Sequence, residues 1–290
     1  GLVGSEMCIR DRLMGGMGYP ILGVATKYLT PINLVFVRSF GTALILLIIL
    51  IIFKPGDLRE IKLDKRLLVT FICAMLFYPL CSGSLAYASS QIPGALTALL
   101  YSALPVISTI YLLLRGQRVP RGVLIGLVIA IASLIILVGT PSGNITTLGV
   151  ISGIFSVLIW FIATEIWIAF NPNYSILLAS TLQAIFGAFG SFIVRPLFDS
   201  GPIYFESILK PSVIFLIFSL ATQHFAYLWL TTRVNAVTLM LFSIINPFIA
   251  GVTGFLLFDQ QITVPQVFAG LLMVMGVYQI ITRQRQVTIS

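Results

Sequence analysis

The chain has 290 residues, 58% of them hydrophobic and 9% charged, with a mean hydropathy of +1.06. Soluble domains carry about 25% charged residues, so a water-soluble core is excluded and the chain reads as a polytopic membrane protein. Its net charge of +8 sits in short loops, where basic residues report topology and not nucleic-acid binding.

Residues 1–12, GLVGSEMCIRDR, differ in character from the apolar chain after them. They are mixed, charged and aperiodic, and they lack the apolar core and cleavage site of a signal peptide. Met7–Arg12 resembles a translated sequencing adapter, so this stretch reads as non-native. Cys8 then has no meaning, and the first helix is expected to lack part of its natural start. Ten membrane spans are predicted next, at 13–29, 33–53, 67–88, 92–114, 122–139, 148–170, 175–197, 212–231, 235–257 and 265–282. Each approaches the ~20 apolar residues that a crossing needs. Short turns rich in Pro, Gly and Asn separate them, such as Thr30-Pro31 and Pro141-Ser142-Gly143. The longest polar loop, 54–66, has room for a short surface helix. Cys73 and Cys81 share one helix about 12 Å apart, too far for a disulfide.

With the N-terminus inside, cytoplasmic loops hold eleven Lys and Arg and external loops three. Both ends are therefore predicted to be cytoplasmic. Pro105 and Pro247 lie 142 residues apart, each near the middle of a long apolar segment. A mid-helix proline strips a partner from the carbonyl four residues back, here those of Tyr101 and Ser243. Interrupted helices at matching places in two halves point to a transporter's binding site. The domains read as a first repeat at 13–140, a second at 147–282 and a tail at 283–290. Five spans per half force the halves to be inverted. The fold expected is thus an all-α membrane protein of two inverted five-helix repeats. Gly126 and Gly270 are read as matching positions in the helix that closes each half.

A family resemblance accompanies these readings. The run Ala86-Tyr87-Ala88-Ser89-Ser90-Gln91-Ile92-Pro93-Gly94-Ala95, then Leu100-Tyr101-Ser102-Ala103-Leu104-Pro105-Val106 and Leu114-Arg115-Gly116-Gln117-Arg118, resembles the EamA-type branch of the drug/metabolite transporter superfamily. Leu241-Phe242-Ser243-Ile244-Ile245-Asn246-Pro247-Phe248 and Gly270-Leu271-Leu272 look like its second copy. Arg38 matches a basic residue usual in the family's second helix. The resemblance covers roughly 13–282 and implies ten helices, alternating access and small metabolites such as amino acids, often exported. The chain departs from the pattern where members carry Gly-Glu: here stand Gly116-Gln117 and Asp259-Gln260. Tyr19 stands in for a tryptophan common in the first helix.

An ionisable group at bilayer depth costs about 2.5–3.5 kcal/mol, so each one asks for a reason. Arg38, about 8 Å below the outer surface, is either a snorkelling interfacial arginine or an anchor for a substrate carboxylate. Glu165 is either an inner-surface carboxylate or a proton or cation site. His224, the chain's one histidine, bonds a neighbouring helix or shuttles protons. Gln223, His224 and Tyr227 crowd one side of their helix. Tyr78, Tyr101 and Trp160 supply packing or a substrate platform. Asn246 beside Pro247, with Ser243, is the strongest polar candidate at the midplane. One His and two authentic Cys cannot hold a structural metal, so no metal, no cofactor and no enzyme activity are expected.

The function expected is a secondary transporter, an exporter of a small polar metabolite, in the cell (inner) membrane. A phosphorylated substrate or nucleotide sugar would want a second buried base. An intramembrane enzyme would need Glu165 and His224 to meet. The expected partners are a small-molecule substrate and the lipid bilayer, not nucleic acid. A monomer is the default, because ten helices can enclose a path alone.

Overall fold

The computed structural model describes residues 2–116, 119–139, 145–198, 201–233, 246–259 and 263–288. The described residues are helical, with α1 Leu2–Ala25, α2 Pro31–Phe53, α3 Lys65–Met75, α4 Gly83–Gln91, α5 Gly94–Tyr101, α6 Leu104–Leu114 and α7 Arg121–Gly139. Beyond these lie α8 Thr147–Phe170, α9 Ile176–Phe198, α10 Phe205–Ile208, α11 Pro211–Thr231, α12 Asn246–Phe258 and α13 Val264–Thr288. A π-helical turn, Leu76–Ser82, joins α3 to α4. The polar loop after α2 holds a short exposed 3-10 helix, Pro55–Glu60, where the sequence leaves room for one.

By length and composition, six helices among the described residues can cross a membrane: Pro31–Phe53, Lys65–Gln91, Gly94–Leu114, Thr147–Phe170, Ile176–Phe198 and Pro211–Thr231. Arg121–Ser133, Asn246–Phe258 and Val267–Ile280 are shorter apolar stretches. Large apolar side chains cover the outer faces, among them Ile48, Ile52 and Phe53 on α2 and Phe189, Phe192 and Ile193 on α9. That is the surface lipid requires, since a helix satisfies its own backbone and presents only hydrocarbon. The chain is a multi-pass membrane protein. The first half of the predicted span 235–257 lies outside the described residues, as does the family-pattern residue Gln117.

Local sequence sets the ends. Pro31 and Pro211 open α2 and α11, where the missing N–H is not needed. Ile92 is extended ahead of Pro93 and ends α4, as a residue before proline prefers. Thr146 accepts from the Gly149 N–H at 3.1 Å and caps α8. Left-handed Asn171 ends that helix, with φ 35°. Asp64 caps α3, accepting from the Arg66 and Leu67 N–H groups at 3.0 and 3.2 Å. Arg66 Nε also donates to Asp64 at 2.8 Å, which holds that carboxyl below its ordinary value. A depressed folded-state pKa gives stability that is full above the unfolded value, near ~4, and is lost as pH falls through the folded value. Asp64→Ala should remove that acid-side loss, and Asp64→Asn should keep the cap; melting curves followed downward from about pH 6 read the difference.

Packing runs in pairs. α7 lies along α13, with Ser133 Oγ donating to the Ala269 carbonyl at 2.8 Å. Small residues bring the pair together: a Cβ on Gly126 would stand 2.6 Å from the Gly276 carbonyl oxygen. Gly270 has open space around it, so it does not share the close backbone approach of Gly126. α2 lies along α9 and is tied to it at both ends. At one end Arg195 Nε donates to Asn33 Oδ1 at 2.5 Å, and Arg195 also bonds the Gly201 carbonyl. At the other, Ser175 Oγ caps α9 and donates at 2.5 Å to Asp57 Oδ2, on the 3-10 helix that follows α2.

Candidate functional site

Two helix interruptions shape the centre of the molecule. The first is the π-helical turn, which contains Pro79. A proline inside a helix has no N–H to give and crowds the preceding turn, and a wide turn accommodates it. Hydroxyls satisfy carbonyls around it: Ser82 Oγ donates to Phe77 at 3.0 Å, Ser84 Oγ to Leu80 at 2.7 Å and Ser156 Oγ to Cys81 at 2.8 Å. The turn presents Phe77, Tyr78, Cys81 and Ser82 inward. The second is the break at Ser102-Ala103, between α5 and α6. The single kinked helix expected over 92–114 is therefore two helices, with Pro105 in the first turn of the second.

Between these interruptions and α1, α2, α8, α11 and α12 lies a cavity of ≈ 150 Å³. A cavity of roughly that volume holds a benzene ring. Its wall is largely aromatic. The Trp160 ring stands 4.7 Å from Tyr227, 4.9 Å from Phe77 and 6.4 Å from Tyr101, centroid to centroid. Tyr19 lies 5.5 Å from Tyr101. Hydroxyls knit the wall: Tyr101 to Ser156 at 2.5 Å, Cys81 to Tyr101 at 3.2 Å, and Thr164 to Tyr227 at 2.5 Å. His224 packs edge-on against Tyr78, 5.3 Å between ring centres, and its Nε2 donates to Gln183 Oε1 at 2.7 Å.

Three polar groups on the wall are buried and incompletely bonded. Arg38 is 8% exposed, and its Nε and Nη1 have no hydrogen-bond partner. The Tyr78 hydroxyl and Asn246 Oδ1 also lack one, at 1% and 4% exposure. Each such atom costs about 1–3 kcal/mol if left bare. The ionisable neighbours of Arg38 are Tyr78, Tyr101 and Cys81, and none of them is an anion at neutral pH. The wall has one cation and no carboxylate among the described residues.

Residues 13–139 match the EamA-like transporter family. That stretch coincides with the predicted first repeat and reaches the end of α7. No curated protein matches the chain in sequence. A solved structure titled only "Crystal structure of protein" superposes with a TM-score of 0.64 at 14% identity, covering 95% of this chain and 98% of its own. At that identity the likeness shows the fold alone.

The EamA-like stretch supplies Arg38, Tyr78 and Tyr101 to the cavity, and α8, α11 and α12 supply Trp160, His224, Tyr227 and Asn246. Those seven candidates share one wall. The remaining candidates do not. Pro105 is buried away from the cavity, and Pro247 lines an outer apolar groove with Leu96, Leu99 and Phe248. Pro105 stands in the first turn of its helix, and the residue before each proline lines the cavity: Leu104 in one half and Asn246 in the other. Glu165 lies off the wall beside Thr164, so it and His224 do not share the cavity. Ser243 lies outside the described residues. Sequence reasoning missed Gln183, Ser156 and Phe77. Gln183 carried a signal, as a fully buried amide in an apolar run. Pro79 did too, as a proline near the middle of the predicted span 67–88.

Proposed function

We propose that the chain is a secondary transporter that exports a small polar metabolite, such as an amino acid, across the inner membrane by alternating access. Ten spans form two inverted five-helix repeats with both ends in the cytoplasm, and the cavity between the repeats is the substrate site. The observation that carries this reading is the cavity itself, lined from both halves and holding buried polar groups with no protein partner. The packing supports the repeat. α4 packs on α8 as α11 packs on α1, and α3 packs on α9 as α11 packs on α2. α5 and α6 meet α8 as α12 meets α1, while α2–α9 and α7–α13 pair across the halves. Exchanging the halves maps each of these pairs onto another of them.

One arginine and no lysine on the wall among the described residues suit a substrate with a single anionic group better than a nucleotide sugar. The test is flux in proteoliposomes over a panel of metabolites chosen by thermal shift, since a ligand of the folded state raises its melting point. Asn246→Ala and His224→Ala should each reduce flux of at least one transported member by about tenfold or more, the loss of one buried hydrogen-bonding group. If both variants carry every substrate at the parent rate, the cavity is not the site.

A further inference from the structure

Resting on the transport reading above, and narrowing its cargo away from zwitterionic amino acids, we infer that this cavity selects a small ring-bearing carboxylate that has a neutral hydroxyl or N–H group and no positive charge. The argument begins with charge. Arg38 is the sole Lys or Arg on the wall among the described residues, His224 there is bonded to the neutral Gln183 amide, and no acid joins them. The run 234–245, VNAVTLMLFSII, contains no charged residue. Beyond the first twelve residues, Glu165 is the one acid within a predicted span, and it lies off the wall. A zwitterion enclosed here would leave the guanidinium charge uncompensated inside a low-dielectric interior, and a dianion would reverse its sign. A monoanion cancels it. An uncompensated buried charge is among the costliest defects a protein can hold.

Bonding and shape narrow the class further. Arg38 has two bare guanidinium nitrogens and Tyr78 a bare hydroxyl, and these are donors for a carboxylate. Asn246 Oδ1 is a bare acceptor on another helix, so a neutral donor on the cargo satisfies it. Trp160, Tyr227, Tyr101 and Phe77 present rings around ≈ 150 Å³, and aromatic faces favour a flat partner. Carboxylate, ring and hydroxyl together describe a hydroxylated aromatic acid.

The test uses purified full-length protein with 4-hydroxybenzoate, benzoate and tyrosine as probes, binding by calorimetry and flux in proteoliposomes. 4-Hydroxybenzoate should bind and tyrosine should not bind at the same concentrations. Arg38→Gln should weaken 4-hydroxybenzoate about 100-fold, with Arg38→Lys in between, as expected for a charged hydrogen bond. Asn246→Ala should weaken 4-hydroxybenzoate about tenfold and leave benzoate unchanged; this pair decides even if Arg38→Gln fails to fold. Tyrosine binding as tightly as 4-hydroxybenzoate overturns the inference, as does binding indifferent to Asn246 or an absence of binding by either acid. Binding without flux supports the inference and counts against transport. Tyrosine flux without acid binding leaves transport standing and ends the inference.

Discussion

Gly126→Leu should abolish recovery of monodisperse, folded protein, because it wedges apart the α7–α13 pair. The added Cβ would meet the Gly276 carbonyl oxygen at 2.6 Å and the Ile280 nitrogen at 2.9 Å. Both obstacles are backbone, so no rotamer change relieves them. Between membrane helices close approach is itself the source of affinity, since lipid offers apolar side chains as good a home as a neighbouring helix does. Overpacking a well-fitted core costs about 1–3 kcal/mol and occasionally more; a backbone clash belongs at or above the top of that range. Gly276→Leu should behave alike, with its Cβ 2.7 Å from the Ala130 nitrogen and from the Gly126 carbonyl oxygen. Gly270→Ala, with nothing within 4 Å, should melt like the parent. Size-exclusion profiles and thermal melts of the three variants check the set. A normal profile for Gly126→Leu would show that the pair contributes little to the fold.

The second large effect is expected at Gly187. A Cβ there would lie 2.3 Å from Cγ of Tyr78 and 2.7 Å from its Cβ. That is the root of the side chain, which cannot swing clear while Tyr78 is 1% exposed and held against His224. Gly187→Leu should drive the ring into the cavity and reduce flux by about 100-fold or more, as misplacing a binding group does. Tyr78→Ala in the same chain should recover part of the folded yield, because volume then moves across the contact without being added. Flux and melting temperature, measured on both single variants and the double, separate a blocked site from an unfolded one. Independent losses that add would deny the contact its role.

Much of this architecture is legible in hydropathy. The spans predicted at 33–53, 148–170, 175–197 and 212–231 end within two residues of α2, α8, α9 and α11. Proline openings and the turns between them explain that accuracy. The site is legible where a polar or aromatic residue interrupts an apolar run, as at Arg38, His224 and Asn246. Direction is not. A mid-span proline looks like a feature of the pathway, yet the Pro105 ring belongs to the start of a helix, and at both prolines the preceding residue lines the cavity. Which partners meet is a tertiary fact. Nothing local says that Gln183 will face His224 across two helices, or that Ser156 will meet both Tyr101 and Cys81. The π-helical turn is hidden because Pro79 sits within an otherwise ordinary apolar stretch. There it re-aims Phe77 and Tyr78 by a fraction of a turn.

The double tie between α2 and α9 limits how the molecule can move. A pair fastened at its two extremities, by Asn33 with Arg195 and by Asp57 with Ser175, cannot splay at one end without breaking a bond there. Asn33 and Ser175 are separated by the same 142 residues as the two prolines. Such a pair acts as a keel. Under the transport reading proposed above, a doorway into the central chamber opens by other helices leaning away from this pair.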